Sequence, residues 1–335
     1  AGMRQGPARI LLALALLVAV AACTPRVQLP GPHIREPQLT ENHILPADDV
    51  ALPLRSWPAE GAEKAVVLAL HGFNDYGNAW KPAAEAWQKQ GITTYAYDQR
   101  GFGGGPHRGC WAGSAAMVDD LFTAARLIRQ RHPDRPLVLA GESMGGAVIL
   151  SAMARDEALP VDRVVLSAPA VGGWQIMKWY QKIGLWTFAY TVPWARVRPQ
   201  IRITPSDNIE MLRALGRDPM IIKRTRVDAA WGLVDLMSAA YDAVPRVDLP
   251  LLVLYGKKED LIPERGWRGT LSRLPRGKDA PPVRMALYGK GYHMLTRDLQ
   301  GRVVIDDIAA YILDPQAALP SGEELPAETL AGADP

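Results

Sequence analysis

The stretch that most constrains this chain is a serine set between glycines, at the junction of an apolar run and a helical segment. Gly141-Glu142-Ser143-Met144-Gly145 follows the apolar residues 136–139 and leads into residues 147–153, which are also largely apolar. This G-x-S-x-G pattern predicts a nucleophile elbow, a sharp turn that lifts a serine hydroxyl above the edge of a sheet. Glycines flank the serine because side chains would clash in so tight a turn. A structural turn without chemistry is the alternative, since a pattern this short also occurs by chance.

The hydrophobic periodicity of the chain predicts the sheet that carries this turn. Residues 65–70 form a continuous apolar run, which is typical of a strand buried on both faces. Strands that alternate with helices indicate a mostly parallel sheet with helices on both faces. Further strands are predicted at 50–57, 92–97, 137–140, 161–166, 251–255 and 283–288, and helices at 80–90, 115–131 and 303–313.

The segment from 172 to 246 interrupts this alternation and is predicted to be a helical lid, inserted after the strand at about 161–168. Trp179, Ile183, Trp186 and Tyr190 follow 4-3-4 spacing, which places them on one face of a helix. Three interpretations of this stripe stay open. It packs on the core, it lines a channel for an acyl chain, or it contacts a membrane interface, where tryptophan is favoured.

The N-terminus has the features of a secretory signal. Ala1 and Gly2 precede Met3 and are interpreted as a remnant of cloning, and the apolar run of residues 10–20 is too short to span a bilayer comfortably. The run ends in Ala21-Ala22-Cys23, which resembles the bacterial lipobox. In that family the signal is removed and the cysteine becomes the lipidated first residue. A plain signal peptide and an uncleaved anchor are the alternatives. The resemblance implies a lipid-anchored protein of the bacterial cell envelope, on the periplasmic or extracellular side.

These observations divide the chain into five parts. The remnant of cloning and a signal peptide cover residues 1–22, and a lipidated Cys23 begins a proline-rich, extended tether that reaches to residue 48. The core is formed by residues 49–171 and 247–314, with the lid at 172–246 between them. Residues 315–335 lack periodicity and are rich in Ala, Pro, Gly and Glu, which predicts a disordered tail.

Two loops supply a base and an acid for the serine, which is a poor nucleophile unless a base takes its proton. His293 follows the last predicted strand, and Glu259 and Asp260 follow the strand before it. The order serine, acid, histidine is that of hydrolases with this elbow, and the carboxyl ends of parallel strands are where such sites form. A solvated surface charge is the alternative interpretation of either acid alone.

With these motifs, together with Leu70-His71-Gly72-Phe73 and Asp218-Pro219, the chain resembles α/β-hydrolases of the monoacylglycerol lipase and lysophospholipase type over about residues 50–313. The resemblance implies the α/β-hydrolase fold, Glu259 as the orienting acid with Asp260 as its competitor, and an oxyanion hole formed by the backbone amides of Phe73 and Met144. Family members often have histidine where this chain has Glu142, and the sequence gives no chemical reason for that change.

The function implied is a serine hydrolase that cleaves the carboxylic ester of a monoacylglycerol or lysophospholipid through an acyl-enzyme on Ser143. The alternatives are a thioesterase, acyltransferase or peptidase on the same residues, or a non-catalytic, membrane-tethered binding protein. The membrane surface is an expected partner, through the lipid anchor and the lid. The formal net charge of +3, without a block of like charge, argues against a nucleic-acid partner. No cofactor or metal motif is present, and the oligomeric state stays open.

Overall fold

The computed structural model describes residues 24–198 and 203–326, and within them a nine-stranded sheet carries helices on both faces. The strands of this sheet are β1 (Gln38–Leu39), β2 (His43–Leu45), β3 (Leu52–Trp57), β4 (Ala65–Leu70), β5 (Ile92–Tyr97), β6 (Leu137–Glu142), β7 (Arg163–Ser167), β10 (Leu251–Gly256) and β11 (Val283–Tyr288). The helices are α1 (Lys81–Gln88), α2 (Ser114–Arg131), α3 (Met144–Ala152), α4 (Gly173–Ile176), α5 (Trp179–Thr191), α6 (Ile209–Arg217), α7 (Val227–Ala243), α8 (Glu264–Ser272) and α9 (Gly301–Leu313).

The sheet has the strand order β1-β2-β3-β5-β4-β6-β7-β10-β11. The run from β5 to β11 in this order is parallel throughout, and β1, β2 and β3 add antiparallel pairs at one edge. Every residue of β4, β5, β6 and β10 is buried, as expected for strands covered on both faces. The predicted mostly parallel sheet, covered by helices, is therefore confirmed.

Two hydrophobic clusters lie on opposite faces of the sheet. Alternate residues of β4 divide between them, with Val66 and Leu68 in one and Val67 and Ala69 in the other. The first cluster packs against α2, α3, α7 and α8, and the second against α1 and α9. Because helices cover both faces of the sheet, a functional site is expected in the loops at the carboxyl edge of the strands.

The prediction of an extended tether over residues 24–48 is wrong. This segment packs against the folded core and contributes β1 and β2 to the sheet. Ile44 is fully buried. Asp48 accepts hydrogen bonds from both Nη atoms of Arg100, at 2.6 and 2.9 Å. The proline content of the segment gave no sign of these partners, which lie some 50 residues further along the chain.

The predicted disordered tail is also wrong for residues 315–326. Leu319 is buried, and the amide of Leu325 donates to the carbonyl of Met285 at 2.8 Å. Arg284 on the edge strand β11 forms an ion pair with Glu324 at 2.6 Å. The segment is held by this strand and by main-chain hydrogen bonds, which its low-complexity composition did not indicate.

The predicted lid region begins after β7. Its described residues form α4 to α7 and a short antiparallel pair of strands, β8 (Arg196–Val197) and β9 (Thr225–Arg226). Sequence reasoning found no strand here, and these two-residue strands are too short to leave a periodic pattern. Among the residues described, no helix is long and apolar enough to cross a membrane. The predicted signal peptide and Cys23 lie outside the described residues.

Candidate active site

Ser143 occupies the turn between β6 and α3 with φ 52° and ψ −114°, a left-handed conformation that is uncommon for any residue with a side chain. The turn is fixed by the Ser143 amide, which donates to the carbonyl of Ser167 at 3.0 Å. A Cβ atom at Gly145 would lie 2.3 Å from the carbonyl oxygen of Leu70, and one at Gly141 would lie 2.7 Å from the amide of Gly146. The glycines are needed because the elbow is packed against neighbouring backbone, as the motif predicts.

The loops after β10 and β11 bring an acid and a histidine together. Nδ1 of His293 lies 2.7 Å from Oε2 of Glu259, and the two side chains are buried. The other carboxylate oxygen of Glu259 accepts from the amides of Leu261, at 2.7 Å, and Ile262, at 3.0 Å. These hydrogen bonds hold the carboxylate in one orientation, and that orientation aims it at the imidazole.

Close backbone packing fixes the distance between these two loops. A Cβ atom at Gly256 would lie 2.1 Å from the carbonyl oxygen of Gly291, so only glycine fits where the loops meet. The amide of Lys258 donates to the same carbonyl at 3.0 Å. Asp260, the competing acid, is exposed, and its Oδ2 lies 3.4 Å from the amide of Thr204 in the lid region. The structure thus places Glu259, and not Asp260, against His293.

The loop that carries Phe73 lies against the nucleophile. A Cβ atom at Gly72 would be 3.4 Å from the Cβ of Ser143. Met144 begins α3, and the first amides of a helix have no acceptor within it. The predicted oxyanion residues therefore come from the two segments that border Ser143, one from each side.

His71 holds the Phe73 loop in place from within the core. The amide of Gln99 donates to Nε2 of His71 at 3.0 Å, so this nitrogen carries no proton, and Nδ1–H donates to the carbonyl of Gly72 at 2.8 Å. Burial lowers the pKa of His71, which outweighs the opposing effects of the Gly72 carbonyl and nearby carboxylates. A neutral imidazole of fixed tautomer thus sets the position of Gly72. This role of His71 was not predicted from the sequence.

Glu142, which the sequence left unexplained, belongs to a buried ion cluster. Its Oε1 accepts from Nη2 of Arg297 at 2.5 Å, and Nη1 of the same guanidinium donates to Oδ2 of Asp75 at 2.8 Å. All three side chains are at most 7 % exposed. Burial opposes the charge on Arg297, but Asp75 and Glu142 outweigh it and hold its pKa above the ordinary value. No spacing rule connects residues 75, 142 and 297, so the sequence did not reveal the cluster.

The lid region is fastened to the Phe73 loop by three hydrogen bonds. The hydroxyl of Tyr76 donates to Asp218 at 2.8 Å, and burial together with this carboxylate raises the pKa of Tyr76 to about 12. The amide of Ile222 donates to the carbonyl of Asn74 at 3.0 Å, and the Asn74 side chain donates to Thr225 at 2.7 Å. The Asp218-Pro219 stretch is therefore an attachment point between the lid region and the oxyanion side of the site.

Known proteins resemble this chain over most of its length. The profile of the Hydrolase_4 family, described as serine aminopeptidase, S33, matches residues 61–300. The monoacylglycerol lipase of Mycolicibacterium smegmatis is 25% identical over 269 residues, covering 77% of this chain and 91% of the relative. The monoglyceride lipase of Homo sapiens is 23% identical over 266 residues, covering 77% and 84%.

Solved structures share the fold. A soluble variant of monoglyceride lipase from Saccharomyces cerevisiae, in complex with a substrate analog, matches 86% of this chain and 100% of that chain, with a TM-score of 0.68 and 19% identity. The monoacylglycerol lipase of Paleococcus ferrophilus matches 78% of this chain and 98% of that chain, with a TM-score of 0.63 and 19% identity. At these identities the likeness establishes the α/β-hydrolase architecture.

Proposed function

Because this chain belongs to the Hydrolase_4 family, we propose that it is a serine hydrolase that cleaves the carboxylic ester of a lipid, a monoacylglycerol or a lysophospholipid. The observation that carries the proposal is the buried contact of 2.7 Å between His293 and Glu259, on the same edge of the sheet as the strained Ser143. The relatives named as monoacylglycerol and monoglyceride lipases support the choice of substrate class.

The reaction begins when the Ser143 hydroxyl attacks the acyl carbonyl and His293 takes its proton. Glu259 accepts a hydrogen bond from Nδ1–H of the imidazole, stays ionised, and stabilises the imidazolium that forms. The amides of Phe73 and Met144 stabilise the negative charge on the carbonyl oxygen, which develops only in the transition state. His293 then protonates the leaving alcohol, and a water molecule activated by the same imidazole releases the fatty acid from Ser143.

The nucleophile is tested by labelling with a fluorophosphonate probe. We expect the probe to label the protein at Ser143 and to leave the Ser143→Ala variant unlabelled. Full labelling of that variant would refute the assignment, whatever its effect on ester hydrolysis.

The two neighbouring acids give a matched pair of variants. Glu259→Gln is expected to lower kcat by about 10⁴-fold, because the amide disfavours the required tautomer and does not stabilise the imidazolium. Asp260→Asn should change kcat by less than about tenfold, since Asp260 is exposed and faces the lid region. The reverse result would transfer the orienting role to Asp260.

Peptide bonds are the second candidate substrate, because the family profile is described by an aminopeptidase. A panel of long-chain monoacylglycerol, lysophospholipid, acyl thioester and aminoacyl anilide, each at several concentrations, separates the possibilities by kcat/KM. We expect the highest value for the two lipid esters. Preference for the anilide would support the peptidase, and failure to hydrolyse any of the four substrates, or an activated ester tested beside them, would support a non-catalytic binding protein.

The cellular position is part of the same proposal. Cleavage before Cys23 and lipidation of its thiol would hold the enzyme on an envelope membrane, beside lipid substrates. Metabolic labelling with an alkyne fatty acid should mark the wild type and the Cys110→Ser control but not Cys23→Ser. Label on the Cys23→Ser variant would refute the anchor without bearing on the chemistry of Ser143.

A further inference from the structure

The helix α5 exposes its aromatic side chains instead of burying them. Among its residues only Ala189 is buried, and Trp179 is 73% exposed. Trp179, Ile183 and Trp186 are exposed on one side of α5, and Trp194 is exposed just after the helix; we call these four residues the aromatic face. Phe188 is exposed on the opposite side of the helix. Several large apolar side chains exposed on one side of a helix are typical of an interaction site. Trp179, Ile183 and Trp186 of the stripe predicted from the sequence are therefore not packed on the core, whereas Tyr190 is half-buried beside Trp231.

The charged residues of α5 and of the segments directly before and after it are all basic, whereas the exposed Asp235 of α7 lies at the neighbouring cavity beside Tyr190. Lys178, Lys182, Arg196 and Arg198 are exposed on or beside it. Between Arg163 and Ser206 the sequence contains no Asp or Glu. Tryptophan and tyrosine beside lysine and arginine suit the interface of a bilayer with anionic headgroups, where the rings reach the acyl boundary and the cations contact phosphate.

The N-terminal segment reaches the same face. Thr24 and Pro25 line a cavity of about 210 Å³ together with Tyr190 and Trp231. The ring of Tyr190 stacks on that of Trp186, with centroids 5.2 Å apart. The segment is held there, because the Gln28 amide donates to the Trp111 carbonyl at 2.7 Å.

We propose that the aromatic face is a membrane-docking surface and that a lipid on Cys23 enters the same bilayer beside it. Cys23 directly precedes Thr24 in the sequence, and Thr24 lines the cavity beside Tyr190. The position of the lipid rests on the anchoring proposed above, whereas the aromatic face stands on its own exposure and charge. Anchor and lid region together fix one orientation of the enzyme on the membrane, where a tether would have left it free to turn.

The test uses the mature protein with its own anchor, bound to vesicles of phosphatidylethanolamine and phosphatidylglycerol with brominated acyl chains. Bromine quenches tryptophans that enter the bilayer. We expect the tryptophan fluorescence of the wild type to be quenched. In a Trp179→Gln/Trp186→Gln/Trp194→Gln variant, the remaining tryptophans should not be quenched. Leu313→Gln, at the far end of α9, is the matched control and should be quenched like the wild type.

Each outcome has a separate meaning. A wild type that is lipidated but not quenched, or a triple variant that is still quenched, would overturn the aromatic face. If the wild type is found to carry no lipid and is still quenched, the result would support docking through the aromatic face and overturn the lipid anchor. Hydrolysis of a soluble activated ester reports on Ser143 independently, so failure of the proposed chemistry is distinguishable from failure of docking.

A second inference comes from the ion cluster beneath the elbow. Arg297 lies four residues after His293, Glu142 directly precedes Ser143, and Asp75 lies two residues after Phe73. One guanidinium therefore contacts the segments that carry the base, the nucleophile and an oxyanion amide. We infer that Arg297 is a positioning residue that holds these three segments in register.

The charge-free variant Asp75→Asn/Glu142→Gln/Arg297→Met separates positioning from stability. It leaves no buried carboxylate without a partner, so we expect it to fold while kcat falls at least tenfold and KM changes little. If Arg297 had only a structural role, the folded variant would keep the kcat of the wild type. That result would overturn the inference.

A matched control exists in the same molecule. Arg100 lies between Asp48 and Asp120 in an equally buried cluster, which joins the N-terminal segment to α2. The variant Asp48→Asn/Asp120→Asn/Arg100→Met should keep kcat within about threefold when folded, since the hydrogen bonds of Arg100 go to Asp48 and Asp120 and not to the segments that carry Ser143, His293 or Phe73. If the Arg297 triple variant does not fold, Arg297→Lys keeps the charge but loses the fork. It should then lower kcat at least fivefold with Tm nearly unchanged, and an unchanged kcat would overturn the inference.

Discussion

The carboxyl edge of the sheet, which carries the candidate catalytic residues, and the lid region both differ from the usual distribution, in which charged residues are exposed and large apolar residues are buried. They differ from it in opposite ways. At the edge, Arg297, Glu142 and Asp75 place charge in the interior. On the lid, Trp179 and Trp186 place large aromatic rings in solvent. Charged groups are seldom buried unless paired, and large exposed apolar patches are uncommon on monomers. The buried charges join loops of this chain, whereas the exposed rings have no such partner and suit the proposed contact with a membrane.

Tryptophan substitutions should show the largest difference between the two regions. Trp87 is fully buried under the sheet and donates to the Ile305 carbonyl at 3.0 Å. Trp87→Ala is expected to lower the free energy of unfolding by about 3–5 kcal/mol, because it leaves a cavity. Trp179→Ala should change it by less than about 0.5 kcal/mol. Urea unfolding measures both, and comparable losses would mean that α5 is packed in solution.

Glycines offer the next contrast. Gly145→Ala places a Cβ atom 2.3 Å from the Leu70 carbonyl, and we expect a loss of about 3 kcal/mol together with loss of fluorophosphonate labelling. Gly184 in α5 has nothing within 4 Å of such an atom. Gly184→Ala should therefore stabilise the helix by about 0.5–1 kcal/mol. A destabilised Gly184→Ala variant would contradict the openness of the lid surface.

The pH dependence should come from the buried side of the comparison. Burial lowers the pKa of His71 below 6.5, against the opposing effects of Gly72 and of Asp98, Asp75 and Glu142. The unfolded chain then binds more protons than the native one, so this contribution to stability is present above pH 6.5 and is lost as the pH falls. Tm measured between pH 7.5 and 5 should fall more steeply for the wild type than for His71→Gln. Parallel curves would exclude His71 as the source.

The smallest effect is expected for an ion pair in solvent. Lys81 and Glu85 approach within 3.7 Å on α1, and both side chains are about half exposed. Glu85→Gln should cost about 0.3–0.5 kcal/mol at low salt and less at high salt. Arg297→Met alone should cost about 3–5 kcal/mol, because two buried carboxylates lose their partner. Similar losses at the two sites would show that burial does not govern these pairs.

Much of the fold followed from local patterns. The continuous apolar run at 65–70 and the β-branched and aromatic residues at 92–97 predicted strands that the structure places at the same residues. Ser143, His293 and Glu259 were located because each follows a strand of the parallel sheet. The helix α8 was not predicted, since it has only nine residues and two of them are glycines.

The errors share a physical cause, which is that the decisive partners are distant in sequence. Residues 24–48 were predicted to be a tether because proline and polar residues dominate them, but Arg100 binds Asp48 within the folded body. Likewise, Glu142 has no local partner, and its role depends on Arg297, 155 residues away. Composition describes a segment alone, whereas docking and buried ion pairs depend on what the rest of the fold brings to it.

The segment that follows α9 also changes how this protein behaves among its own copies. β11 is the last strand of the sheet, and an uncovered edge strand offers free backbone groups to another chain. Glu323 accepts from the Leu287 amide at 3.0 Å, and Leu325 donates to Met285 at 2.8 Å. Residues 315–326 thereby act as a built-in guard against strand addition. A truncation at residue 314 would leave the catalytic residues in place and yet produce a protein that self-associates at high concentration.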